Sequence, residues 1–118
     1  MADARVYRVT VRGRFGELAD DVRRYLAGAQ AEHDIALSAY SAEGTFVYDA
    51  KLDFFNLRYE VRAADDDAAT AAATALREAE TFLRTLRITH RGLKASAVDM
   101  AAMWDAAERR QARARTTS

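Results

Sequence analysis

Two segments of the chain alternate strictly between apolar and polar residues. Residues 56–62 place Leu57, Tyr59 and Val61 on one side and charged residues on the other, and residues 7–12 repeat the pattern. Side chains two positions apart in a β-strand point to the same face. Each segment therefore predicts a strand that is buried on one face only, and together they predict a sheet with one apolar and one charged face.

Further elements follow from the spacing of apolar residues. Leu18, Val22 and Leu26 recur at helical spacing and predict a helix that ends near residues 32–34. Residues 35–40, 45–49 and 54–62 then predict three consecutive strands. Gly44 lies between the first two of these strands and can adopt the positive φ that a hairpin turn with a bulge requires.

The second half of the chain predicts two helices and a strand. An alanine-rich stretch with apolar residues at helical spacing from Ala72 to Leu86 predicts a helix that starts near the carboxylates of Asp65, Asp66 and Asp67. After a turn at Arg91 and Gly92, residues 93–98 predict the last strand, and a C-terminal helix is expected from about Asp99.

This order of elements predicts one α+β domain over residues 1–118. We expect a ferredoxin-like sandwich: a largely antiparallel sheet of four or five strands, two helices on one face and an additional C-terminal helix. Removing one strand of the central meander would give a βαββαβ core, and the sequence leaves open which strand is the extra one.

Composition narrows the classes of partner. The chain of 118 residues has 18 basic and 18 acidic residues and no cysteine, so its formal net charge is zero. Because no overall field attracts polyanions, nucleic acid is not expected as a partner. The absence of thiols and of a long apolar run predicts a cytoplasmic protein without a membrane segment.

Catalytic candidates are few. His33 and His90 are the only histidines, and a histidine is the natural general base near neutral pH. The alternative is that both are surface residues near helix ends. No metal-ligand spacing is present, so neither a metal nor another cofactor is expected.

The charged face of the predicted sheet is the main candidate surface. Arg8 and Arg58 are candidate ligand-binding residues, and Glu60 or Asp49 could move protons if a partner subunit or the C-terminal helix covers this face and excludes water. The alternative is a solvated lattice of salt bridges without function. Burial of the face would decide between these interpretations.

Aromatic and methionine residues complete the candidate set. Most central aromatic residues are expected in the core, although Tyr40 and Tyr48 could donate hydrogen bonds to a ligand. The stripe of Met100, Met103 and Trp104 must be covered by the sheet or by a second chain, so a homo-oligomer such as a homodimer is plausible.

Two families share sequence features with this chain. The run VTVRGRFGEL at residues 9–18 resembles the opening of the acylphosphatases, but Asp21 stands where that family has its phosphate-binding arginine, and Asn56 does not match its catalytic asparagine. This resemblance implies a similar fold only. The blocks YRVTVRGRF, EHDI, EGTFVYD, FFNLRYEVR and LKASAVDMAAMW are similar, in the same order, to an uncharacterised family of small actinobacterial proteins, a domain of unknown function.

Two functional hypotheses follow. The first is a protein that binds a small organic molecule beside the sheet, with a cofactor-independent cyclase or isomerase of secondary metabolism as the reaction class, partly by analogy with ferredoxin-like proteins. The second is a non-catalytic homo-oligomeric or partner-binding module that uses the Met100, Met103 and Trp104 helix as its contact.

Overall fold

The computed structural model describes residues 5–36, 39–63 and 67–100. Four strands and two α-helices make up most of these residues. In chain order they are β1 (Arg5–Phe15), α1 (Asp20–Ala29), a short 3₁₀ helix (Gln30–His33), β2 (Thr45–Tyr48), β3 (Phe54–Ala63), α2 (Ala68–Thr85) and β4 (His90–Asp99).

The four strands form one antiparallel sheet in the order β2-β3-β1-β4. The two long alternating strands lie side by side at its centre, and Val9 of β1 is opposite Tyr59 of β3. Each helix connects two strands that are separated by a third strand between them. This is the βαββαβ arrangement of a ferredoxin-like fold, so the predicted fold class is confirmed.

The core lies between one face of the sheet and the two helices. Val9, Val11 and Leu57 of the central strands are at most 1 % exposed. On the other side, α1 contributes Val22 and Leu26, and α2 buries the side chains Ala71, Ala75, Ala79 and Leu83. We call the opposite side of the sheet, which neither described helix covers, the open face.

The predicted strand at residues 35–40 is wrong for the described part of that segment. Residues 35 and 36 form a turn in which the Ala36 amide donates to Asp34 Oδ1, and the β-bridges next to the described part of the segment are isolated ones at Asp34 and Ser41. β2 is only four residues long, which leaves little edge for a further strand to pair with. The strand predicted at residues 35–40 is therefore the one that the βαββαβ core does not contain.

The predicted turn at Arg91 and Gly92 is also wrong, because β4 begins at His90 and includes both residues. The register of β4 against β1 shifts there, and Gly92 has a φ of 63°. These features define a β-bulge within the strand. The positive φ expected at Gly44 is confirmed, at 96°.

The predicted C-terminal helix falls mostly outside the described residues. β4 continues through Asp99, and Met100, which follows it, is 6 % exposed. Met103 and Trp104 of the proposed partner stripe lie outside the described residues. Within the described part of the chain, no helix is long and apolar enough to cross a membrane.

Candidate functional site

The open face is strongly basic, although the chain as a whole has no net charge. Strand register places seven cationic side chains and one carboxylate, Glu60, on this face. The cations are Arg8, Arg12, Arg14, Arg58, Arg62, Arg91 and Lys94. Charge is therefore segregated by face, a property that the net charge of zero conceals.

The middle of the open face is occupied by contacts with the connection between α1 and β2. The Tyr40 hydroxyl lies 3.0 Å from Thr10 Oγ1, and the Arg8 guanidinium lies 5.1 Å from the centre of the Tyr40 ring. Arg58 Nη2 donates to the Ile35 carbonyl oxygen at 3.3 Å. Arg8 Nε also lies 3.5 Å from Glu60 Oε1. These side chains hold the connection against the sheet and neutralise one another in part.

A concavity of about 410 Å³ lies at the other end of the open face. Its lining residues come from β1, β3 and β4: Arg12, Gly13, Arg14, Phe54, Phe55, Asn56, Arg91, Gly92 and Lys94. We call this group the basic concavity.

The basic concavity is built from two rows of side chains across three strands. In one row Arg12 lies between Asn56 of β3 and Lys94 of β4, and in the next Arg14 lies between Phe54 and Arg91. None of the four cations forms a salt bridge with a carboxylate in the described part of the chain. Among the described residues, the lining contains no carboxylate.

Two uncharged residues give the basic concavity further chemical character. Phe54 is 47 % exposed and offers an apolar surface beside the cations. The Oδ1 atom of Asn56 is buried and has no hydrogen-bond partner within the described structure. Such an unpaired acceptor costs about 1–3 kcal/mol, so its position is not explained by stability.

The four predicted catalytic residues do not converge on one site. His33 Nδ1 lies 2.8 Å from the Phe46 carbonyl oxygen, and its ring stacks on Tyr48. Asp49 Oδ1 accepts hydrogen bonds from the backbone amides of Asp53 and Phe54, so its side chain closes the β2–β3 turn. No group of three or more potential metal ligands occurs among the described residues.

His90 and Glu60 also lie outside the basic concavity. His90 begins β4 and lines two other surface concavities, of about 530 and 750 Å³, the larger of which Arg91 also borders. Glu60 lies on the open face, beside Arg8. The structure therefore separates these candidates instead of assembling them.

The predicted ligand-binding residues fall into two groups. Arg8, Arg58 and Tyr40 lie on the open face, in the contacts described above. Tyr48 is fully buried, its hydroxyl donates to the Leu26 carbonyl oxygen, and burial raises the pKa of its phenol. Sequence reasoning missed Arg14, Arg91 and Lys94. Arg14 follows the predicted first strand, Arg91 was placed in a predicted turn, and only strand register brings all three to Arg12.

Fold and surface together define a ferredoxin-like α+β domain with a basic open face. The chain belongs to a family of unknown function, DUF6204, whose family model matches residues 1–113. The resemblance to an uncharacterised domain family is thus confirmed, and the actinobacterial source stays a prediction. No curated protein and no solved structure matches the chain.

Proposed function

We propose that the protein binds a small organic anion in the basic concavity. The volume of about 410 Å³ falls within the range of small-molecule sites, roughly 300–1,000 Å³. Arginine is suited to such a ligand because its planar guanidinium can form two parallel hydrogen bonds with one carboxylate or phosphate.

The observation that carries this proposal is the pairing of like charges across β1 and β4. Arg12 lies directly opposite Lys94, and Arg14 lies directly opposite Arg91. Like charges in directly opposed positions destabilise a sheet. A bound anion would relieve this repulsion and would be held by the same groups.

The same sheet supplies a contrasting pair. Arg8 lies opposite Glu60 in the β1–β3 register, an arrangement of opposite charges that favours strand pairing. A solvated surface lattice would be expected to alternate charges in this way throughout. The absence of a carboxylate from the described lining residues of the basic concavity supports ligand binding over that alternative.

A cyclase or isomerase reaction would need more than ligand binding in the basic concavity. Such a reaction needs a proton acceptor within hydrogen-bond reach of the substrate. None of His33, His90, Asp49 and Glu60 lines the basic concavity. A ligand-binding role without an assigned reaction is therefore the form that the geometry favours.

The alternative function, a homo-oligomeric or partner-binding module, rests on the sequence stripe of Met100, Met103 and Trp104. Met100 is buried, and the other two residues lie outside the described structure. The alternative remains a proposal that a Trp104→Ala variant would test through its oligomeric mass in light scattering.

Binding is best tested by titrating the ¹⁵N-labelled protein with benzoate and with phenyl phosphate. We expect chemical-shift changes at the amides of Gly13 and Gly92 and at the side-chain amide of Asn56, which line the basic concavity. An Arg12→Gln variant should weaken binding by about tenfold, since a hydrogen bond to a charged group is lost.

The matched control is Arg62→Gln. Arg62 lies on the same open face but pairs with Val6 at the opposite end of β1, away from the basic concavity. It should retain binding within a factor of about two, as expected for a distant exposed charge. The proposal would be contradicted if neither compound changed the chemical shifts of these residues. It would also be contradicted if Arg12→Gln and Arg62→Gln weakened binding equally.

A further inference from the structure

The β-bulge in β4 decides which side of the sheet Arg91 faces. Arg91 and Lys94 are three positions apart, so in a regular strand their side chains would point to opposite faces. In this strand Arg91 pairs with Arg14 and Lys94 pairs with Arg12, so Gly92 and Leu93 together oppose the single residue Gly13. The extra residue brings Arg91 and Lys94 to the same face, where both line the basic concavity.

Gly92 is required by the conformation of this bulge and not by crowding. Its φ of 63° lies in the left-handed region, as in bulges whose first residue is glycine. A Cβ atom added there would meet no atom within 4 Å. Space would thus permit a side chain, and only the backbone angle disfavours one.

Gly13, opposite the bulge, has a packing role instead. A Cβ atom there would lie 2.8 Å from the Phe55 ring and 3.0 Å from Leu93 Cδ1. Phe55 is fully buried, so Gly13 lets the core close beneath the basic concavity. The core therefore forms the base of the concavity, and the bulge adds the Arg91 cation to its lining.

We infer, on the basis of the proposed function, that the ligand is a phosphate monoester of an apolar group such as an aryl ring. The bulge at Gly92 positions Arg91 as the fourth cation for the doubly charged phosphate. A single carboxylate would leave most of the four cations without a counter-charge, whereas a dianion with three free oxygens can accept hydrogen bonds from several of them. The exposed Phe54 ring offers the surface against which the apolar group packs.

The inference is tested with three probes that share a phenyl ring: phenyl phosphate, phenyl sulfate and benzoate. Phenyl sulfate matches the tetrahedral shape of the phosphate but carries one negative charge. At about pH 8, where a phosphate monoester with a second pKa of about 6 is a dianion, we expect phenyl phosphate to bind at least about tenfold more tightly than either monoanion in calorimetry.

Lowering the pH provides a second readout. Phenyl phosphate binding should weaken as the pH falls through about 6, because the ligand takes up its second proton there, whereas phenyl sulfate binding should not follow this profile. Equal affinities for phenyl phosphate and phenyl sulfate at the higher pH would overturn the inference.

Two variants test the role of the bulge. Arg91→Gln removes the cation directly, and Gly92→Val disfavours the left-handed conformation that positions it. Both should reduce the preference for phenyl phosphate over phenyl sulfate by about tenfold, while Arg62→Gln should preserve it. If Gly92→Val does not fold, the test rests on Arg91→Gln. An unchanged preference for phenyl phosphate over phenyl sulfate in Arg91→Gln would refute the role of Arg91.

The outcomes separate this inference from the proposed function. If none of the three probes binds the wild-type protein, the proposed function fails and the inference falls with it. If all three bind with equal affinity and depend on Arg12, the proposed function stands and the dianion inference fails. Preferential phenyl phosphate binding that depends on Arg91 supports both.

Discussion

At the scale of single residues, Tyr59 links core packing to pH. It is 3 % exposed, and burial raises the pKa of its phenol to about 12, with the nearby carboxylate of Glu78 as a second cause. An unfolded tyrosine has a pKa of about 10, so above that pH the unfolded chain loses a proton that the folded chain keeps. The contribution of Tyr59 to stability is therefore complete below about pH 10 and is lost as the pH rises towards 12.

We expect urea unfolding to show a loss of order 1 kcal/mol between about pH 8 and pH 11 from this group. The Tyr59→Phe variant should lose less stability over the same interval because it cannot ionise. Tyr25, which is 62 % exposed, provides the control, since Tyr25→Phe should keep the wild-type loss. A loss of the same size in Tyr59→Phe would show that another group causes it.

Two glycines give opposite predictions for the same substitution. Gly44 has a φ of 96°, and a Cβ atom there would overlap Cε1 of the Tyr59 ring. Gly28 lies within α1, and a Cβ atom there would meet nothing within 4 Å. Gly44→Ala should therefore reduce the free energy of unfolding by about 2 kcal/mol or more, through backbone strain and overlap with a core ring.

Gly28→Ala should instead raise the free energy of unfolding by up to about 1 kcal/mol, because alanine is the better helix former. Chemical denaturation of both variants beside the wild type measures the two effects together. A lower free energy of unfolding in Gly28→Ala would contradict the open helical position of Gly28. An unchanged free energy of unfolding in Gly44→Ala would contradict the strained, crowded position of Gly44.

At the scale of elements, α2 packs on the sheet through small residues. Ala71, Ala75 and Ala79 follow one another at intervals of one turn and are all fully buried. Large side chains come from the sheet instead, including Phe46, whose ring lies 5.1 Å from that of Phe82 on α2. Along its alanine stretch, the helix face is thus closely packed on the sheet and leaves little room for a larger side chain.

Ala75→Leu should accordingly destabilise the protein by about 1–3 kcal/mol, because added volume forces α2 away from the sheet. The same change at Ala73, which is exposed on the same helix, should alter stability by no more than about 0.5 kcal/mol. Thermal unfolding of the two variants provides the comparison. Similar melting temperatures for both would mean that the alanine face is not tightly packed.

Alternation and helical spacing predicted the two central strands, both described helices and the fold class, because each pattern reports burial on one face. The prediction for residues 35–40 was wrong because this largely apolar segment resembles a strand, whereas its described residues lie in the connection between α1 and β2. Gly92 was read as a turn because glycine marks bulges and turns alike. Arg14 and Arg91 come together only through the β1–β4 register, a tertiary property that local patterns do not contain.

At the scale of the whole molecule, the separation of charge matters more than the net charge. The chain has a formal net charge of zero and a pI of about 6.7, whereas the described strands place seven cations and one carboxylate on its open face. Contact between the open faces of two copies would bring these cations together, so the face is poorly suited to a symmetric homodimer. It is better suited to an anionic surface or ligand.

Cation-exchange chromatography tests this separation of charge. At a pH above the pI of about 6.7, net charge alone predicts no retention on a sulfonate resin, whereas a basic open face predicts retention until the salt reaches about 0.1 M, where charges are screened beyond about 10 Å. The double variant Arg12→Glu, Arg62→Glu should abolish retention. The control Arg24→Glu, Arg77→Glu has the same net charge but changes exposed residues on α1 and α2, so it should still be retained. Equal losses in the two double variants would show that the resin responds to net charge, and the open face would then have no distinct electrostatic role.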